Sequence, residues 1–495
     1  MGSKSSEPRI LFVPFDHLHR TYGVLQHAAK TDVILLVESQ RMVDPAKFHP
    51  TRLHFLVSSV RHFAEELRAE GFTVDYTKAA TTLAGITAAK NRHGIQTVMA
   101  AHQSSFRMQA ALESIGVQFV ENNFFLTPRA LFNSWAESQK SHLMENFYRK
   151  QRVRLGILME GSQPVGGQWN FDAENRDPLP KDHAPAKYLE HSTDVIDVEV
   201  AAELEIEPPT EWATDRAGAL KVLKHFLANH FETFGRFEDA MNSTDWAVHH
   251  SLLSPYLNNG LIHAEEVIGA ALKKFDTGAI PIASCEAFIR QIIGWREYIN
   301  GMYWYLGESY KDENQLQATR PLLPLFTDSS KTEMNCVRSI VSDVEKRSWV
   351  HHIPRLMVLS NLALIAGVNP QAYLKWMRNQ FIDASDWVMV PNVIGMGVHA
   401  DGGRMMTKPY AAGGAYISRM SDYCKGCAFD PKKRTGDNAC PFTTLYWDFL
   451  AEHHEEFAGN HRMTQQLAGL KRLSDLPQTR ERAKEVLDGL SAGTI

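Results

Sequence analysis

Apolar and polar positions come in alternating blocks over roughly the first 125 residues. RILFVPF (9–15) and DVILLVES (32–39) are short, nearly all-apolar runs, the pattern of strands buried on both faces. TRLHFLVSSVRHFAEELRAEGF (51–72) instead spaces its apolar residues as a helix does. TVDYTKA (73–79), TVMAAH (97–102) and VQFVEN (117–122) extend the strand set, with helices expected near 81–92 and 105–115. Strand–helix alternation predicts an open, doubly wound parallel sheet, a fold that binds ligands beyond the carboxyl ends of its strands. No GxGxxG follows the first strand, so the dinucleotide fingerprint is absent.

Residues 123–190 are rich in Gly, Pro and Asn and read as irregular. Residues 194–211 carry seven acids and no Lys or Arg, which reads as a solvated linker. From about 215 onward helical periodicity dominates, as in 217–231, 285–304 and 355–367. The expected organisation is an α/β domain (1–130), a connector (131–214) and an all-helical domain (215–495).

Composition narrows the class. Apolar residues are 44% and charged residues 22%, ordinary globular usage that excludes a disordered chain or a coiled coil. No apolar run approaches the ~20 residues that span a bilayer, and MGSKSSEPRI lacks an apolar signal core, so neither membrane nor secretion is expected. The net charge is 52 − 57 = −5, so any nucleic-acid site must be a local basic surface. Residues 401–440, with seven Lys or Arg against four acids, are such a segment.

Five cysteines without a signal peptide favour metal ligation or buried thiols over disulfides. Cys424 and Cys427 form a C-x2-C pair, and Cys440 follows after a turn-rich loop. Two thiolates on one turn and a third on the next loop make most of a tetrahedral set. Cys336 or Cys285 could complete it, and Cys336 fits better because Cys285 opens an apolar helix. Zinc and an iron–sulfur cluster both remain open, with the all-sulfur set tilting toward the latter. WREYINGMYW (295–304) reads most simply as a packed helix with an internal ion pair. Ser251 and Ser254, three apart before Pro255, either cap a helix or face one anion from a single turn. HHIPR (351–355) sets two histidines before an arginine, a structural or a polar-site arrangement.

Taken in order, HSLLSPYLNNG, IIGWREYINGMYW, VHHIPRLM, PNVIGMGVHADGG, TKPYAAGGAYISRMSDYCKGC and RTGDNACPFTTLYWDF resemble the iron–sulfur bacterial cryptochromes and photolyases, the prokaryotic (6-4) photolyase group. The resemblance spans nearly the whole chain and is strongest over 235–450. It implies a light-driven DNA-repair enzyme acting on (6-4) lesions in double-stranded DNA, monomeric and cytoplasmic in a bacterium. It further implies FAD in the helical domain, a 4Fe–4S cluster on Cys336, Cys424, Cys427 and Cys440, and a 6,7-dimethyl-8-ribityllumazine antenna touching Asp16 and Glu38. By the same resemblance Ser251 and Ser254 bind flavin phosphates. Asn392 faces the flavin's reactive nitrogen, and Arg355 with Asp386 forms an ion pair beside the ring. Glu297 faces the lesion. His352, beside His351, donates a proton to it, as an imidazolium can. Asp172 and Arg176 belong to a lesion-meeting loop, where in some members a divalent cation assists. Trp376 matches one member of the family's aromatic relay. Met377 and Asp328 stand where relay aromatics are usual, and Met396 where ordinary photolyases carry a tryptophan. Tyr410 and Tyr416 are the candidate substitutes. A cryptochrome-like photoreceptor signalling through a partner is the alternative function, and a zinc-stabilised nucleic-acid-binding protein a third.

Overall fold

The computed structural model describes residues 7–495. The apolar runs form strands β1 (Ile10–Phe12), β2 (Val33–Ser39), β3 (Thr73–Ala79), β4 (Val98–Ala101) and β5 (Gln118–Val120). They pair in parallel in the order β3-β2-β1-β4-β5. Ile10 lies opposite Val33 on one side and Val98 on the other, so the chain reverses its winding at β1. β2 is buried along its whole length, as a strand covered on both faces must be.

Helix Pro50–Ala69 does not merely cover the sheet. Phe55, Val57 and Phe63 share one apolar core with Leu11 and Leu36 of the sheet and with Trp212, Phe226, Tyr256 and Ile289 of the helical part. At the same seam Leu18 N donates to Asn259 O at 2.9 Å. Gly260 is needed there: its φ is +89°, and a Cβ would lie 2.8 Å from Leu18 N.

The segment expected to be a connector contains three helices. Helices Arg129–Glu137 and Met144–Leu155 occupy part of the stretch read as irregular. Residues 194–211 are not a solvated linker, because they contain helix Val195–Glu203, opened by an Asp194–Asp197 capping box. Arg61 pairs with Glu203 at 2.7 Å and His62 with Asp194 at 2.9 Å. The acids serve as caps and ion-pair partners of helix Pro50–Ala69, which counting charges along the chain does not reveal.

Helices dominate from Arg216 onward. Three of them contain π-helical turns: Arg290–Arg296, Pro354–Ser360 and Pro391–Gly397. Each inserts a residue into a regular helix and rotates the residues after it, a device concentrated at functional sites. Arg296, Arg355 and Asn392 all sit in these turns.

Candidate active site and cysteine centre

Turn 381–384 gathers polar groups next to HHIPR. Arg52, reaching across from helix Pro50–Ala69, donates to the carbonyls of Phe381 (2.8 Å), Ile382 (3.1 Å) and Ala384 (2.9 Å). Asn258 Nδ2 donates to Asp383 O at 2.8 Å. The Asp383 carboxylate then receives Arg355 through two bonds of 2.9 and 3.0 Å, and Ser254 Oγ at 2.6 Å. Burial alone would raise the Asp383 pKa, but Arg355, Ser254 and Arg52 outweigh it and hold the carboxyl below its ordinary value. The expected Arg355–Asp386 pair does not form, since Asp386 pairs with Arg378 at 2.9 Å. Asp386 opens helix Asp386–Val390, and three residues, nearly one turn, separate it from the carboxylate that Arg355 reaches.

Ser251 and Ser254 do not share a helical turn. Helix Ser254–Asn259 begins at Ser254, while Ser251 lies in a loop where Val248, His249 and Leu252 have φ of 43°, 63° and 57°. Left-handed backbone at three of five positions is strained for these side chains, and the loop is held by Val248 N donating to Asp245 Oδ1 at 3.0 Å and His249 N to the Tyr188 hydroxyl at 3.0 Å. Ser251 lines a shallow cleft together with His191, His225, His230 and His250. Asn392 is half-buried and its amide donates to Val388 O at 2.8 Å.

The two adjacent histidines differ. His351 is 2% exposed and stacks on His250, ring centroids 4.1 Å apart, with its Nδ1 unpartnered. His352 is exposed, yet much protein is packed around it. That desolvation, then the Arg355 charge, lowers its pKa to about 4. His352 is therefore a neutral imidazole near pH 7 in the free protein, not the imidazolium expected. His250 Nε2 bonds Glu238 O at 3.1 Å. The Glu238 carboxyl accepts from Gln291 and is pushed up to about 8, first by burial. Glu238, Asp239 and Gln291 escaped the sequence reading, because adjacent acids in FEDAMN look like an ordinary solvated face.

Loop 170–176 lies beside this cluster. Phe171 N donates to Glu286 at 3.1 Å, and Asp172 pairs with Arg290 and, at 3.4 Å, with Arg176. Glu297 is elsewhere. It is 1% exposed, accepts from Thr127 N at 2.7 Å and pairs with Arg296 at 2.9 Å. It locks a helix to the end of the α/β part and has no free face for a lesion; the simple ion-pair reading of the WRE run holds.

The four candidate ligands Cys336, Cys424, Cys427 and Cys440 line one pocket with Met334, Ile417, Tyr423, Phe429 and Phe442. Burial raises the Cys336 thiol, and the neighbouring Cys440, Cys424 and Cys427 raise it further. Burial also raises Cys440 to about 11. Gly414 leaves the space the centre needs, since a Cβ there would lie 2.8 Å from Cys440 Sγ. Cys285 is fully buried in the other core and takes no part.

This architecture matches known proteins. A family model described as deoxyribodipyrimidine photo-lyase-related protein matches residues 11–212. A (6-4) photolyase of Agrobacterium fabrum is 41% identical over 466 residues, which cover 90% of this chain and 92% of that protein. The chain belongs to the photolyase family. A crystal structure of a bacterial class III photolyase from Agrobacterium tumefaciens shares the fold, with TM-score 0.57 over 99% of each chain at 16% identity. An uncharacterized protein of Acanthamoeba polyphaga mimivirus is 32% identical over 107 residues, 22% of this chain and 80% of that protein.

As a photolyase the chain is a light-driven DNA-repair flavoenzyme. The residues present fit a flavin: Arg355, held on Asp383, offers a planar cation, and Ser251 lies in the irregular loop three residues before Ser254, whose hydroxyl donates to the same carboxylate. Among the residues expected to relay electrons, Trp376 is 4% exposed and touches Phe326, Tyr373 and Phe381 at centroid distances of 5.1, 5.7 and 5.8 Å. Arg355 lies over the far side of Phe381 at 4.3 Å. Met377 is buried, and Asp328 caps a surface 3-10 turn, so neither adds an aromatic ring. Burial, and after it charges that include Asp239, raise the phenols of both Tyr410 and Tyr416.

Glu38, expected at the antenna, is 6% exposed and bonded to Arg61 at 3.1 Å, to Lys78 at 3.4 Å and to Tyr76. Asp16 is half-buried just beyond β1. The described residues contain no helix long and apolar enough to cross a membrane.

Proposed function

We propose that this photolyase repairs pyrimidine (6-4) photoproducts in double-stranded DNA. The observation that carries the reading is His352: an exposed imidazole next to the His351–His250 stack and to Arg355 held on Asp383. The relative named a (6-4) photolyase supports it. When bound, the flavin absorbs light and supplies the electron that starts the rearrangement. The protein's part is to place and move a proton. Oxygen must pass between two bases, and a neutral His352 can give its N–H proton only as a hydrogen bond unless negative charge arrives to raise its pKa. A flipped nucleotide brings its phosphates, and their charge favours the imidazolium at the moment it is needed. Glu238, still protonated at neutral pH, can donate a second hydrogen bond from the wall opposite.

The four cysteines are proposed to hold a 4Fe–4S cluster. No three of their sulfurs lie within 4.8 Å of one another, whereas sulfurs on a single tetrahedral zinc at ~2.3 Å are only about 3.8 Å apart. A ribityllumazine antenna is proposed for the carboxyl edge of the sheet, near Asp16 rather than on the saturated Glu38. A divalent cation at Asp172 would compete with Arg290 and Arg176. The enzyme is proposed to act as a cytoplasmic monomer.

The deciding experiment illuminates the purified, reduced holoprotein with oligonucleotides carrying each defined lesion. Repair of (6-4) products is expected. Repair of cyclobutane dimers alone would overturn the substrate assignment, and absence of repair with intact flavin photochemistry would favour the photoreceptor.

A further inference from the structure

Histidines gather at a place that the proposed repair chemistry does not use. Helix Arg216–Asn229 carries His225 in its last turn, and His230 follows directly after it. On a continuous helix, side chains five residues apart point about 140° from each other. The helix breaks at His230, whose φ is −124° and ψ −28°, and the break brings its ring back to His225. The two Nε2 atoms lie 3.2 Å apart. The Lys187 carbonyl, from the connector, stands 3.0 Å from His225 Nε2 and also faces His230.

The protons can be placed. Asn229 Nδ2 donates to the His225 carbonyl at 2.9 Å, which fixes the amide's orientation, and to His225 Nδ1 at 3.1 Å. The His225 proton is therefore on Nε2, shared between Lys187 O and His230 Nε2. His230 Nδ1 faces His249 Nδ1 at 3.3 Å, so His230 keeps its own proton on Nδ1 and its Nε2 lone pair accepts. One proton thus holds three electron-pair donors together. Their spacing suits a metal ion, since two nitrogens on tetrahedral zinc at ~2.0–2.1 Å lie about 3.3 Å apart. His225 and His230 border the cleft that His191 also lines, which gives an ion entry. His191 Nε2 is buried and has no hydrogen-bond partner among the described residues.

We propose that His225, His230 and the Lys187 carbonyl bind a late first-row divalent cation, with zinc the expected occupant and water completing its set. Imidazole nitrogen selects such ions over magnesium, a hard cation that prefers oxygen. On binding, both Nε2 lone pairs go to the metal. The His225 proton moves to Nδ1, where Asn229 turns its amide oxygen to accept it, and no proton leaves the protein. His230 already donates its Nδ1–H to His249, the outer-shell support usual for a ligating histidine. The ion ties the connector at Lys187 to the end of helix Arg216–Asn229 and, through His249, to the loop that leads into Ser251.

Calorimetric titration of the flavin- and cluster-loaded protein with zinc chloride at neutral pH tests the site, with iron content followed throughout. One zinc per chain is expected, and magnesium chloride should give no binding. His225→Ala and His230→Ala should each weaken zinc binding roughly a hundredfold or more, because outer-shell partners alone are worth about 10–100-fold. His249→Ala, which removes such a partner, should weaken it about tenfold. Asn229→Asp should tighten binding severalfold, since a carboxylate accepts the His225 Nδ1–H better than an amide does. A purely structural role for these residues produces no such gain. His461→Ala, at an exposed histidine elsewhere, should bind zinc unchanged. If the buried His230 variant fails to fold, His225→Ala, at a half-buried side chain, and Asn229→Asp decide. Undetectable zinc binding by the unsubstituted protein, or an affinity unmoved by His225→Ala, overturns the site. So does magnesium binding as tight as zinc binding. Zinc uptake matched by loss of iron overturns it too, because the ion then sits on the cysteine centre.

Discussion

A single histidine carries most of the proposed chemistry, and its surroundings change what can be expected of it. With a pKa lowered to about 4, His352 should show no imidazolium above pH ~5 in the free protein by NMR, and its titration should move upward when damaged duplex binds. His352→Ala should retain flavin and damaged DNA but lose roughly two to four orders of magnitude in repair of (6-4) products, the usual worth of a positioned acid. Repair at the unsubstituted quantum yield would remove the proton-donor role. His351→Ala acts on the stacked support, so it should lower the unfolding midpoint more than it lowers repair. Trp376 makes a second residue-scale case. It is the one tryptophan in the Phe326–Tyr373–Phe381 group beside Arg355, so Trp376→Phe should slow light-driven flavin reduction strongly. Photoreduction at the normal rate would direct attention to Tyr410 and Tyr416.

At the scale of elements, the loops and turns around the cysteines and the π-helical turns decide function more than the regular helices do. The helix that begins at Gly414 passes against Cys440, so Gly414→Ala should reduce iron per protein and solubility, whereas Cys285→Ala should behave as a mild core change of about 1 kcal/mol. Iron and sulfide analysis of the purified variants checks both, and full iron content in Cys336→Ala would sink that ligand. Glu297 belongs to this scale too, since it joins helix Glu297–Leu306 to residue Thr127. Removing it leaves Arg296 buried without a partner, so Glu297→Ala should cost about 3–5 kcal/mol in denaturant unfolding. Much at this scale is legible along the chain: periodicity marks the five strands, and spacing marks the C-x2-C…C set and HHIPR. The π-helical turns are not legible, because an inserted residue leaves the apolar pattern almost unchanged while rotating the residues after it.

At the scale of the whole molecule the sheet, helix Pro50–Ala69 and the helical part bury a common core, and Arg52 crosses it to position Asp383. Its pH dependence comes from buried histidines. His230, His250, His263 and His352 are lowered from 6.5 to about 4, 3, 4 and 4, each mainly by burial. Between pH 6.5 and 4 the unfolded chain binds protons that the folded chain refuses, so stability is lost as pH falls through that window. Glu238 works oppositely: raised from 4.5 to about 8, it holds a proton the unfolded chain has released, and stability is lost as pH rises between those values. The unfolding midpoint should therefore drop steeply below pH ~6, and Glu238→Gln should flatten the decline on the alkaline side. A midpoint flat from pH 4 to 7 would contradict the burial of these histidines.

The sequence alone determined the class of fold, the family and the Cys424, Cys427 and Cys440 trio, because each rests on local signals: strand-length apolar runs, ordered motifs and thiols at metal-ligand spacing; the tertiary fold brought Cys336, and not Cys285, beside that trio. Tertiary structure decided which carboxylate Arg355 meets, since Asp383 and Asp386 differ only in which is turned inward by Arg52, Asn258 and Ser254. It also decided that Glu297 is a buried lock, that the acids of 194–211 cap and pair a helix, and that His352 rests neutral. These outcomes depend on desolvation and on partners more than a hundred residues distant, and neither quantity is written in the neighbours of a residue along the chain.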